Sequence, residues 1–249
     1  MLVGERRDLL LARLAADGKV LAKDVAAELG VSEDSIRRDL RDLAAAGLCQ
    51  RVYGGALPVS PAVADYASRT SIAVEGKDRV AAVAAGLVRR GSTVILDGGT
   101  TTLAVAKALP RDLEATVVTH SPTVAVALLE HARVEVFLLG GRLFRHSAVT
   151  CGAAAAEAAQ AISADVFLLG VTGVHPEAGL TTGDADEAAM KRTLARRAAD
   201  TYVLASAEKL GAASRFPVLP FVDVAGVITD ADDANVQKLA ESGVKVLKA

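Results

Sequence analysis

The chain has 249 residues, a formal net charge of −2, 51% hydrophobic residues and 23% charged ones. That balance excludes a disordered or fibrous protein, and the length suits a small and a medium domain, each with its own core. Near-neutral charge also excludes binding to nucleic acid through bulk electrostatics.

In chain order, Glu5 to Ala16 reads as a first helix with Leu9, Leu10 and Leu14 on its apolar face, stopped at Asp17-Gly18. Lys19 to Leu21 is a short extended piece. Ala22 to Leu29 is a second helix, with Val25, Ala26 and Leu29 inward, and Gly30 turns the chain into a third. Lys23, at the start of the second helix, fits either a phosphate contact or an ordinary solvated lysine.

The third helix carries the strongest signal. Ser32 is placed to N-cap it, with Glu33 and Asp34 against the positive end of its dipole. Ile36, Leu40 and Leu43 fall on one buried stripe. At about 100° per residue, Arg38 and Arg41 project from the opposite face, with Arg37 on its flank. Gly47 is the expected C′ residue. Leu48 to Val52 and Ala56 to Val59 then read as two strands around a Gly54-Gly55 turn. A helix with arginines on its open face, followed by a β-wing, is how a winged helix-turn-helix meets DNA. Arg41 beside Asp42 would alone fit a solvated charged face. Residues 1–60 hold nine Lys or Arg and nine Asp or Glu, so attraction to DNA must come from the local placement of Arg37, Arg38, Arg41 and Arg51.

Residues 58–74, with Pro58 and Pro61, read as a linker, helical around Asp65 to Ser71. Glu75 to Val88 is a helix opening the second domain. Strands are then expected over 93–96, 115–119, 134–139, 166–171, 201–205, 225–229 and 244–247. Helices are expected over 101–109, 123–131, 153–162 and 186–199. This alternation implies an open, mostly parallel α/β sheet covered on both faces. The domains expected are therefore 1–57, a winged helix-turn-helix, and 75–249, an effector-sensing α/β domain.

Open parallel sheets bind ligands beyond the carboxyl ends of their strands. The first loop there is Asp97-Gly98-Gly99-Thr100-Thr101-Thr102. Its glycines allow close backbone approach, the following helix start offers free N–H groups, and three hydroxyls can donate to an anion. It is neither a Walker loop nor a dinucleotide fingerprint, which disfavours nucleotides. A phosphate or sugar is the expected ligand, with a ligand-free tight turn as the alternative. Asp97 is expected to accept sugar hydroxyls, since a carboxylate repels phosphate. The second loop holds His120, which fits a ligand contact or a hydrogen-bonded loop histidine equally. The third holds Gly140 and Gly141, then Arg142, which fits a phosphate clamp or an exposed arginine. The fourth joins Gly170 to Val174 with Gly179 to Thr182. A fifth, Ser206 to Lys209, offers the Lys209 ammonium as a point charge.

Other chemistry is less well supported. The two cysteines, Cys49 and Cys151, are far apart and suit a reducing compartment. The four histidines lack zinc-ligand spacing, so no metal or other cofactor is expected. The opening residues carry Arg6, Arg7, Asp8 and Arg13, unlike a signal peptide, and no apolar run reaches the ~18 residues of a membrane span. A cytoplasmic protein without a membrane partner is expected.

The strings V-S-E-D-S-I-R-R-D-L, G-L and R-V-Y-G-G-A resemble the DNA-binding signature of the DeoR family of bacterial transcriptional repressors. That family usually shows Thr at Ser35, which keeps the hydroxyl, so Ser35 joins Arg37, Arg38, Arg41 and Arg51 as a DNA-binding expectation. The resemblance implies a sugar-phosphate-sensing domain related to ribose-5-phosphate isomerase, with loops in the order D-x-G-T-T, T-N-S, G-G and D-S-S-K. His120 stands where the family usually has Asn, and Ser206 where it usually has Asp.

The expected function is therefore a repressor of carbohydrate-metabolism genes, a homo-oligomer (dimer or tetramer) on double-stranded operator DNA, answering to a phosphorylated sugar or polyol. The alternative is an active sugar-phosphate isomerase with a DNA-binding head. Asp184-Ala185-Asp186-Glu187 has letters similar to an isomerase acidic segment, but it sits at an expected helix start, and no glycine-rich lysine segment follows. The chain is accordingly read as a non-enzyme. A DNA-architectural protein would leave the large second domain unexplained.

Overall fold

A computed structural model describes residues 1–249. The N-terminal periodicity becomes α1 (Val3–Asp17), strand β1 (Val20–Leu21), α2 (Ala22–Leu29) and α3 (Glu33–Ala45), then β2 (Gln50–Val52) and β3 (Gly55–Leu57). Leu10 and Leu14 of α1, Val25 and Ala26 of α2, and Ile36, Leu40 and Leu43 of α3 form one buried cluster. Ser32 caps α3, its hydroxyl accepting the Ser35 N–H at 3.2 Å. At the other end, the Gly47 N–H donates to the Ala44 carbonyl and the Leu48 N–H to the Leu43 carbonyl, a Schellman closure.

The wing differs from expectation. Its turn is Tyr53-Gly54, and Gly55 belongs to β3. The cause is β1, which joins the wing in the order β1-β3-β2 with Leu21 opposite Gly55. A Cβ on Gly55 would lie 1.9 Å from the Val20 carbonyl oxygen. Gly55 thus serves close strand approach, while Gly54 takes the positive φ of the turn.

The stretch expected as a linker is a packed strap. It holds a short 3-10 turn, Pro61–Val63, and α4 (Tyr66–Arg69), capped by Ser60 and Asp65. The Tyr66 N–H donates to the His146 carbonyl at 2.8 Å, and the Tyr66 hydroxyl donates to Thr123 at 3.0 Å. Both partners lie in the second domain.

That domain runs α5 (Val74–Ala85), β4 (Thr93–Leu96), α6 (Thr100–Ala108), β5 (Ala115–Thr119), α7 (Pro122–Leu128) and β6 (Val134–Leu138). It continues through β7 (Arg142–Phe144), β8 (Val149–Cys151), α8 (Ala153–Gln160), β9 (Ala164–Gly170), β10 (Gly173–His175), β11 (Gly179–Thr182) and α9 (Ala185–Ala195). The last elements are β12 (Ala198–Leu204), β13 (Phe216–Pro217), β14 (Gly226–Thr229), α10 (Asp233–Ala240) and β15 (Val246–Lys248).

Seven strands form a parallel sheet in the order β15-β14-β12-β9-β4-β5-β6. Val94, Leu96 and Leu168 face the helices α5, α6 and α7, whereas Ile95, Phe167 and Leu169 face α8 and α9. Burial on both faces explains the unbroken apolar runs of these strands. The chain leaves β4 toward β5 and β6, then returns on its other side to β9. Loops after β4 and β9 therefore diverge, and the crevice between them is the place where such sheets bind ligands.

The small antiparallel pieces β7-β8 and β10-β11-β13, and helix α10, were not expected. The strand pieces are two to four residues long, and α10 buries only Leu239, so neither leaves a clear periodicity.

Gly55→Ala is expected to destabilise the wing by about 1–3 kcal/mol, the usual cost of forcing a methyl into a filled site. A fall in the denaturation midpoint together with weakened operator binding checks this. An unchanged midpoint would mean that β1 and β3 do not meet as described.

Candidate functional site

Two sites emerge from this framework, one on the head and one in the crevice. On α3, the acidic neighbours of the arginines are drawn away. Arg6 Nε of α1 lies 2.5 Å from Asp39, which is buried, and Arg7 bridges Asp39 and Asp42. Arg37 pairs with Glu33 one turn earlier, at 2.7 Å. Arg38, Arg41 and Arg51 are exposed and enter none of the chain's ion pairs. The Ser35 hydroxyl lies 2.9 Å from that of Ser32. Clamping by α1 thus leaves unbalanced positive charge on the open face of α3. Tyr53, fully exposed at the wing tip, is a further candidate contact.

The crevice is a cleft of about 620 Å³, including its open mouth. Gly98, Gly99, Thr100 and Thr101 line one side, at the N-terminus of α6. The first α-helical bond there runs from the Leu103 N–H to the Gly99 carbonyl, so earlier N–H groups have no helical acceptor. A Cβ on Gly98 would fall 1.9 Å from Val149 Cγ1, so a glycine is needed where the loop passes β8. Gly170, Val171, Thr172 and Thr182 bring the fourth expected loop to the opposite side.

Four cations converge on this cleft: Arg69 from the strap, Lys77 from α5, Lys191 from α9 and Lys209 beyond β12. Lys209 Nζ donates to Thr101 Oγ1 at 3.0 Å, and Lys77 Nζ to the Arg69 carbonyl at 2.6 Å. Arg69 Nε is buried without a partner. Burial lowers the pKa of Lys209 to about 8; Glu208 opposes the shift, while Lys77, Arg69 and Lys191 add to it. Burial likewise lowers Lys77 and Arg69. Two carboxylates, Glu187 and Glu208, share the cleft, and Glu187 accepts a hydrogen bond from Ser147 at 3.0 Å.

Asp97 does not meet the cleft as expected. It is fully buried, and both its oxygens are occupied. Oδ2 accepts from Lys191 Nζ at 2.5 Å and from the Gly170 N–H at 2.9 Å; Oδ1 lies 2.7 Å from His120 Nε2. Burial alone would raise its pKa, but Lys191 and His120 outweigh that and hold the carboxylate below its ordinary range. A carboxylate so enclosed must be paired inside the protein, so Asp97 supports the floor and does not read sugar hydroxyls. His120 is also fully buried, its Nδ1 2.9 Å from the Thr150 carbonyl oxygen. Thr102 turns inward to donate to the Gly99 carbonyl at 2.9 Å. Gly140 and Gly141 are exposed outside the cleft, and Arg142 pairs with Asp186 at 3.1 Å. The expected effector residues that do line the cleft are Gly98, Gly99, Thr100, Thr101 and Lys209.

The DeoR-like helix-turn-helix domain matches residues 6–62, and the DeoR C terminal sensor domain matches residues 72–231. The chain is 34% identical to the HTH-type transcriptional regulator GlpR of Haloferax volcanii, over 99% of this chain and 98% of that protein. It is 33% identical to the putative aga operon transcriptional repressor of Escherichia coli O157:H7, covering 98% and 93% of the two chains. The chain belongs to the DeoR family.

A solved ribose 5-phosphate isomerase from Methanocaldococcus jannaschii superposes on this DeoR-family chain at TM-score 0.40. Identity is 17%, over 54% of this chain and 53% of the isomerase. Two of the departures from the DeoR pattern, His120 and Ser206, have local partners here. His120 meets Asp97, and Ser206, fully buried, donates to Glu208 Oε1 at 2.7 Å. Sequence reasoning missed Arg69, Lys77 and Lys191 as cleft residues. The available signal was a lysine on each apolar helix stripe, Lys77 with Val80 and Ala84, and Lys191 with Ala188 and Leu194.

Asp97→Ala should strand the buried Lys191 ammonium and destabilise the sensor by about 3–5 kcal/mol. Adding Lys191→Met should recover much of the loss. Denaturant titration of the single and double variants tests this, and an Asp97→Ala protein as stable as wild type would remove the carboxylate from its structural role.

Proposed function

We propose that this DeoR-family regulator represses carbohydrate-metabolism genes, and that a phosphorylated sugar or polyol seated in the cleft modulates its hold on operator DNA, releasing it. The observation that carries this reading is the meeting of four cations with the start of α6 at the sheet's switch point. Helix N-termini and buried cations are the elements with which proteins bind phosphate. Thr172, Thr182 and the two carboxylates supply partners for hydroxyls. Repression is favoured by the relative named as a putative operon repressor. Strap residues Ala62, Val63 and Arg69 line the cleft, so ligand contacts there reach the segment that leads from the wing. A ligand shifts the DNA equilibrium only by its differential affinity for the two states.

The protein is proposed to work as a homo-oligomer, a dimer or tetramer, because one winged head offers only about 600–1,000 Å² to DNA. The open edge of β6, with exposed Phe137 and Leu138 and nearby Leu143, is an apolar surface that a second copy can cover. The site of action is proposed to be the cytoplasm; no helix is long and apolar enough to cross a membrane. No chemical step is proposed. Asp184, in the segment with isomerase-like letters, caps α9 by accepting the Asp186 and Glu187 N–H groups. Incubation with phosphosugars in heavy water should give no proton exchange, and exchange lost in Glu187→Gln would favour the isomerase alternative.

Arg38→Ala should abolish specific operator binding without loss of fold. A bidentate base contact is worth ~1–3 kcal/mol, and an oligomer loses it in each head. Gel shifts that match wild type would place the reading face elsewhere.

Phosphosugar affinity should be highest between about pH 6, where a phosphate ester gains its second charge, and pH 8. Above pH 8 it should fall, because Lys209 in the free protein deprotonates near that value. Lys191, Lys77, Arg69 and Glu208 face the same space, and bound phosphate favours the protonated lysine, so binding near pH 8 takes up protons. Calorimetry in buffers of different ionisation enthalpy reads this uptake. An affinity flat from pH 7 to 9, or equal for a sugar and its phosphate, would contradict the assignment.

A further inference from the structure

A bare phosphate site does not explain the carboxylates of the cleft, and of the two Glu208 has a buried oxygen left unpaired. A carboxylate beside an anion site repels the ligand, yet Glu208 stands next to Lys209 and influences both Lys209 and Lys77. Its position is set from one side. Oε1 accepts from the Ser206 hydroxyl at 2.7 Å, and Ser206 is itself fully buried. Oε2 is buried and has no hydrogen-bond partner. An unpaired carboxylate oxygen away from water is costly, and such atoms call for a missing partner. Arg69 Nε, in the same cleft, is an unpaired donor. Two cleft-lining residues therefore each hold an unpaired buried atom, a donor on Arg69 suited to an anion and an acceptor on Glu208 suited to an N–H or O–H group.

Charge balance narrows the ligand further. Four cations, Arg69, Lys77, Lys191 and Lys209, stand against the three carboxylates of Asp97, Glu187 and Glu208. Lys191 is already neutralised by Asp97. The surplus is one positive charge, already less than one phosphate dianion carries, so a second phosphate would meet no counter-charge at all.

We infer that Glu208 is a specificity-determining residue, which accepts a hydrogen bond from a hydroxyl or amino group of a monophosphorylated ligand and rejects ligands carrying a second anionic group. Ser206 is its positioning residue. This rests on the proposed reading of the cleft as a phosphosugar site. Rejection by a like charge is a means of specificity distinct from added attraction, and here the repelling group is held in place by a neighbour that neither touches phosphate nor carries charge.

The test is calorimetry on the full chain with hexose monophosphates, the matching bisphosphates, amino-sugar monophosphates and inorganic phosphate. Wild type should prefer a monophosphate over its bisphosphate by roughly tenfold or more, as expected for one poorly screened like-charge contact. Glu208→Gln should bring that ratio close to one, while Glu208→Asp, which keeps the charge, should retain most of it. Ser206→Ala should lower the ratio with less effect on inorganic phosphate. Tighter binding of the amino sugar than of its hydroxyl counterpart, lost in Glu208→Gln, would assign an ammonium as the donor; equal binding would assign a hydroxyl. A mono-to-bisphosphate ratio unchanged in Glu208→Gln overturns the filter alone. Failure of wild type to bind any member of the panel overturns the phosphosugar reading and the filter with it.

Discussion

The sensor depends on one buried ionic centre. Asp97, at the end of β4, accepts from the backbone of Gly170 at the end of β9, from Lys191 of α9, and faces His120 beyond β5. His120 in turn faces the Thr150 carbonyl of β8. One carboxylate thereby gathers three adjacent strand ends and a helix at the point where the sheet changes direction. Burying such a charge is unfavourable without close partners, so the arrangement is held as a unit: moving any member leaves the others unpaired. The diverging loops above it become a cleft with a fixed floor.

Around that floor the chain distributes charge in two ways. In the head, Arg6 and Arg7 neutralise Asp39 and Asp42, and the arginines left over face outward. In the sensor, Asp97 neutralises Lys191, and the cations left over face the cleft. Neither surface is announced by net charge. In the head, pairing with α1 takes up the acids of α3; in the sensor, Arg69, Lys77 and Lys209 still outnumber Glu187 and Glu208 once Asp97 and Lys191 are paired. The strap joins the two. It begins just after the wing, and its Arg69 carbonyl accepts from Lys77 while its side chain lies beside the cleft. The cleft and the wing therefore adjoin one continuous segment, the physical condition for coupling through a shared two-state element.

The head was legible in the sequence because its signals are local. A capping serine, the Ile36–Leu40–Leu43 stripe and a closing glycine act within one helix, and their periodicity survives in the fold. The parallel strands were legible for the same reason. The clamp of Arg6 on Asp39 was not, since it joins residues 33 positions apart. The cleft was half legible. Loops that present backbone, such as Gly98 to Thr101, advertise themselves by composition, whereas Lys77 and Lys191 look like ordinary helix lysines until tertiary packing buries them. Asp97 was expected to face ligand and instead faces Lys191, because sequence alone does not tell a carboxylate that faces ligand from one that faces a buried lysine. Gly140 and Gly141 mark a turn outside the cleft; glycine richness reports backbone shape and carries no information on what lies nearby.

The central claim is that cleft and DNA face are thermodynamically linked. Linkage requires that the factor by which ligand weakens operator binding equal the factor by which operator weakens ligand binding. The direct measurement is phosphosugar affinity for the free protein and for the protein saturated with operator, beside operator affinity with and without the sugar. The account predicts weaker sugar binding on DNA, by the same factor in both directions, typically about 5–150-fold. Identical sugar affinity for the free and DNA-bound protein would contradict it.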